Sequence, residues 1–272
     1  MARREQYPKL KNQPLSLVLA EFRFNPILKI GDAIPDLQER LRKHYPRFSK
    51  QDETMVLLFG PHGQVDKSPQ EIRTSWLFAS ANQRQALKID SERLIFFCTD
   101  YDRFPEFCKS CLEAIEILQS QVNPELLLRV GLRYNDVIVP QEGDTLTDYL
   151  DPTLVPTKAI DGLNGILLQH RAETIWTTSV GKLAIRSYFS NRGLAVMPDL
   201  HQRLPVITRD DVPAEITSAV LDFDHFWDAT GTSEEILFKL NNAKQRLSGL
   251  HQIAREAFWK VTTDFARNER WA

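Results

Sequence analysis

What most constrains this chain is a succession of short, period-two apolar runs, each closed by turn residues. The stretch LSLVLAEFRF at residues 15–24 sets Val18, Ala20, Phe22 and Phe24 against Leu17, Leu19, Glu21 and Arg23. Such alternation is the mark of a strand with one apolar face. Asn25-Pro26 ends it, because a residue before proline leaves the helical region and proline donates no ladder bond. Similar runs at 55–59, 75–79, 85–89 and 93–98 predict consecutive antiparallel strands. A polar loop spans 60–70, and a long strand is expected at 126–139. Later runs at 166–179 and 182–189 predict a hairpin around Val180-Gly181, and AVLDF at 219–223 predicts a further strand.

Helical spacing is confined to three windows. Ile34, Leu37, Leu41 and Tyr45 recur at helical intervals, with Pro35 suited to a first turn and Pro46 as a stop. Phe107, Cys111, Ala114, Ile115, Leu118 and Val122 make the apolar face of a helix over 105–122. A long C-terminal helix is expected over 233–265, with Thr232 and Glu235 at capping-box spacing and a kink at Ser248-Gly249. No internal repeat is visible. The pattern predicts an α+β fold: antiparallel sheet with helices on one face, the first half ferredoxin-like in element order. The divisions are 1–139, a Pro-, Asp- and Gly-rich connection at 140–164, and 165–272, joined into one unit.

Composition removes several function classes. The 272 residues are 42% hydrophobic and 26% charged, enough to bury roughly three quarters of the unfolded surface without staples. With 34 Lys+Arg against 36 Asp+Glu, the chain shows no electrostatic footprint for nucleic acid or anionic membrane. The basic segment 39–50, with Tyr45 and Phe48, reads as a solvated helix face. Three cysteines argue for a reducing compartment, and the absence of a signal-like or spanning apolar run adds to the expectation of cytoplasm.

No motif carries a named chemistry. A G-x-S-x-G elbow, a P-loop and a G-x-G-x-x-G are all absent. Cys108 and Cys111 make a lone C-x-x-C with no second ligand pair, so they read as structural, and neither metal nor cofactor is expected. Two charged rows stand out. Arg129, Arg133 and Asn135 share one face of the long strand, a geometry that suits a carboxylate or phosphate. Asp222 and Asp224 share a face of another strand, where paired carboxylates could hold a cation. The favoured reading pairs the rows across adjacent strands. The binding set carried forward is Arg129, Arg133, Tyr134, Asn135, Asp222, Asp224 and His251.

Several phrases together resemble a sporadically distributed bacterial protein family of about this length: PLSLVLAEFRFNPI, SWLF, DYDRFPEF, LLLRVGLRYNDVIVP, LDFD and LHQIAREAFWKVT. The strings at 131–135 and 221–224 carry most of the likeness, although Tyr134 and Asn135 are adjacent where an intervening apolar residue is expected. The family implies no established activity; its patchy distribution implies an association with mobile-element or defence genes. The leading expectation is therefore a non-catalytic protein that binds a protein partner or itself. The alternatives are a metal-dependent enzyme using Asp222, Asp224 and His251, or a small-ligand binder with a cavity between sheet and C-terminal helix.

Overall fold

The computed structural model describes residues 7–55, 71–156, 165–201, 204–208, 212, 217–229 and 235–272. Its strands are β1 (Leu15–Phe24), β2 (Arg47–Met55), β3 (Glu71–Ala79), β4 (Gln85–Asp90), β5 (Arg93–Cys98), β6 (Leu127–Ile138), β7 (Gln169–Thr178), β8 (Gly181–Ser190) and β9 (Ser218–Asp228). Its helices are α1 (Ile34–Leu41), α2 (Phe104–Val122), α3 (Leu146–Tyr149), α4 (Pro198–His201) and α5 (Leu240–Val261). All nine strands join one antiparallel sheet in the order β2-β3-β4-β5-β1-β6-β9-β8-β7. The sheet is larger than a ferredoxin-like first half would supply, since strands from both halves of the chain build it.

The centre of the sheet is the β1–β6 pair, and the chain is arranged about it twice. After β1 come α1, the meander β2 to β5 and then α2; after β6 come α3, the meander β7 to β9 and then α5. Each meander returns its last strand, β5 or β9, to the side of the central strand it left. The pairs Ala20–Leu132 and Phe22–Val130 exchange when Phe22 is laid on Leu132, so the central pairing itself obeys the two-fold. The same shift lays Glu-Phe-Arg-Phe-Asn at 21–25 on Gly-Leu-Arg-Tyr-Asn at 131–135. The period-two pattern alone does not reveal this pseudo-two-fold, which shows in the topology and in one short string.

The helices α1, α2 and α5 cover one face of the sheet through a single apolar core that includes Phe22, Phe24, Leu37, Phe96, Ile115, Phe223 and Leu247. Each such side chain contributes about 1.5–3 kcal/mol when fully buried. The other face is covered in the middle by the stretch around α4, where Val196 and Val206 pack on Leu17 and Phe97, and Met197 packs on Val137 and Val220. That double cover explains why β6 is buried on both faces from Val130 onward.

Several local expectations shift. β2 starts at Arg47, inside the segment read as a basic helix face, because Phe48 pairs with Phe78 across β3 with rings 5.2 Å apart. The 56–59 part of the predicted run, the 60–70 loop and Thr232 lie outside the described residues. α5 begins at Leu240, not near 233, since residues 236–238 extend beside the start of β6: Leu127 N–H donates to Ile236 and Phe238 N–H donates to Glu125. The expected break at Ser248-Gly249 does not occur. Helix α5 is continuous through Gly249, which lets Val180 approach: a Cβ there would sit 3.2 Å from Val180 Cγ1. Within 140–164, residues Leu146, Tyr149, Leu154 and Val155 are buried in the core.

Candidate functional site

The alternation that buries Val130 and Leu132 on the helix face of β6 continues to Tyr134 and Asp136. Above these two side chains the helices part. The start of α2 and the middle of α5 leave a cavity of about 470 Å³, bordered by residues 7–10 and 13–15. Its floor is Tyr134, Asp136 and Phe223 from the sheet. Tyr101 comes from the turn before α2, Phe104 from its first residue, and His251, Arg255, Phe258 and Trp259 from α5. Residues 251, 255 and 258–259 fall on one helical face because they recur at intervals of three and four.

The polar groups converge on the floor. Tyr134 Oη and His251 Nδ1 are joined at 2.8 Å, and the His251 ring lies flat on Phe104 with centroids 3.9 Å apart. Burial, reinforced by the nearby Arg255 charge, drives the His251 pKa down to about 3, so the imidazole is neutral. Burial also raises the Tyr101 and Tyr134 hydroxyls above the ordinary tyrosine range. Asp136 is 5% exposed and lines the cavity. Burial, with a smaller contribution from the Asp222 charge behind the sheet, pushes its pKa up to about 8. Arg255 stacks over the Tyr7 ring at 5.1 Å, and its buried Nε–H meets no acceptor. Unpaired buried polar atoms are costly and concentrate at functional sites.

The candidate set read from the sequence divides between the two faces of the sheet. Tyr134 and His251 line the cavity. Arg133, Asn135, Asp222 and Asp224 lie on the opposite face, where the rows pair across β6 and β9. Arg133 Nε donates to Asp222 Oδ1 at 2.7 Å, and its Nη atoms donate to both oxygens of Asp199 at 2.8 and 3.0 Å. Asn135 Nδ2 also donates to Asp222, while its Oδ1 accepts from the Met197 N–H at 2.8 Å. Arg186 reaches Asp222 at 3.1 Å and Asp224 at 3.4 Å. Burial pulls the Arg133 pKa down, but Asp199 and Asp222 outweigh it and raise it above the ordinary arginine range, so the guanidinium is charged. Arg129 stands apart, 3.2 Å from Glu21 and stacked on Phe226 at 3.8 Å. The network pins α4 to the sheet.

Asp222 and Asp224 are separated from His251 by the sheet itself, so the three do not share one site. Among the described residues no group of three or more His, Cys, Asp or Glu side chains is placed to hold a metal. Cys98, Cys108 and Cys111 are buried and unpaired, and burial raises all three thiols, which makes them poor nucleophiles. No helix among the described residues is long and apolar enough to cross a membrane.

Asp136, Arg255, Tyr7 and Trp259 were absent from the candidate set. Asp136 had a signal: it interrupts the apolar face Val130, Leu132, Tyr134, Ile138 of a strand that the helices cover. Arg255 had a weaker one, four residues from His251. Comparison with family models, curated proteins and solved structures returns no match.

Proposed function

We propose that this is a non-catalytic binding protein whose ligand is a small organic molecule held between the sheet and α5. The observation that carries the reading is the cavity lining: the buried Asp136 carboxyl on the floor and an Arg255 Nε–H without an acceptor, set among aromatic rings. Apolar walls with a few convergent polar groups are what ligand sites present. Binding is favoured over catalysis because His251 already spends Nδ1 on Tyr134 and its depressed pKa makes it a weak base. Calorimetric titration with 2-naphthoate tests this. Wild-type protein should bind one equivalent, and Ser248→Trp, which fills the cavity from α5, should lose it. Equal binding by both proteins contradicts the assignment.

Self-association is the second reading, and β7 favours it. This ten-residue strand is a sheet edge and exposes Ile175 and Trp176. An antiparallel copy centred on Ala172 would set Arg171 opposite Glu173 and Leu168 opposite Trp176. A monomer in sedimentation at high concentration removes it. We also read each half as an elaborated ferredoxin-like unit, from the shared order of strand, helix, meander and helix. Three unpaired thiols fit a reducing cytoplasm.

A further inference from the structure

The cavity floor also constrains the ligand's chemistry. Among the described residues, the charges around the cavity largely cancel. Lys9 is joined to Asp102 at the rim, Arg103 beside them has an interaction of its own, and His251 is neutral. Asp136, with its pKa pushed up by burial, is an uncharged acid at neutral pH that donates one O–H and accepts on its other oxygen. Arg255 is the exception. Its guanidinium makes no ion pair or hydrogen bond to a described residue, and its Nε is shielded from solvent. A shielded Nε–H without an acceptor is disfavoured, and a carboxylate matches the fork geometry of this half-buried guanidinium. Flat walls surround it: Tyr7 lies under the guanidinium, and Tyr101, Phe104 and Trp259 line the rest.

We infer that the cavity selects a flat aromatic monocarboxylate, its carboxylate on Arg255 with Asp136 as a second donor and its ring among the aromatic walls. This rests on the cavity being a ligand site, as proposed above. A cation is disfavoured because Arg255 would oppose it and the buried Asp136 is uncharged. A neutral isostere would leave Arg255 with no anionic partner.

The test compares 2-naphthoate, 2-naphthamide and 2-naphthylmethylamine by calorimetry at neutral pH. The carboxylate should bind about tenfold or more tighter than the amide, the ratio expected of a charge-assisted hydrogen bond. The amine should bind weakest. Arg255→Gln should erase the preference for carboxylate over amide while leaving amide affinity within about threefold. Amide binding as tight as carboxylate, or amine binding tighter, overturns the charge assignment and spares the cavity. Failure of all three to bind overturns both. Should Arg255→Gln not fold, the three-ligand comparison on wild-type protein still decides the matter.

Discussion

Replacing Arg133 with alanine should cost about 3–5 kcal/mol, the range for breaking a buried ion pair from one side. The geometry says which contact carries that cost. Asp199, although held bidentately, is 59% exposed and can return to water, so its loss is small. Asp222 is fully buried and would keep only Arg186 and Asn135 as donors. An unfolding entropy of about 2.1 cal/mol/K per residue over 272 residues gives about 0.6 kcal/mol per degree, so the melting temperature should fall by about 5–9 °C. Arg129, paired with a Glu21 that water reaches, is the control: Arg129→Ala should cost less than about 1 kcal/mol. Differential scanning calorimetry reads both, and a cycle with Asp222→Ala should show coupling above about 1 kcal/mol. If Arg133→Ala melts within a degree of wild type, the pairing of the rows is not structural.

Asp136 gives a pH signature. Between about pH 4 and 8 the folded chain holds a proton that the unfolded chain releases, so stability should fall as pH rises, by up to about 1.4 kcal/mol per unit. Melting curves of Asp136→Asn should lack that slope; an identical pH profile counts against it. His251 acts on the acid side: its folded pKa lies below the unfolded value, so stability is lost as pH drops from about 6.5 toward 3, and His251→Gln should flatten that limb. Gly181→Ala should cost at least about 2 kcal/mol in denaturant unfolding, because its Cβ would meet the Phe226 carbonyl oxygen at 2.1 Å and push β8 from β9. A near-neutral effect would mean the hairpin shifts freely.

The sheet was readable because strand alternation is local, and so was α2, bounded by Pro105 and Asn123. The Arg133–Asp222 pairing was readable for the same reason: a period of two fixes the face, and only the adjacency of β6 and β9 had to be guessed. The start of α5 was not, because the contacts of residues 236–238 with β6 override helical periodicity at 235–239. Nor was the cavity. It is made where elements distant in sequence fail to touch, and nothing local marks Tyr7, Tyr101, Asp136 and Arg255 as neighbours. Tyr134 and Asn135, adjacent in sequence, point to opposite faces of β6, so a string read as one site serves two.

The most direct test of the ligand site uses the chain's five tryptophans as reporters. Trp259 lines the cavity, whereas Trp76 and Trp176 lie on β3 and β7. In a two-dimensional 1H–15N spectrum, titration with 2-naphthoate should move the Trp259 indole signal and leave those of Trp76 and Trp176 in place. A shift at Trp176 with Trp259 unmoved would place the aromatic ligand on the sheet edge and contradict a site beneath α5.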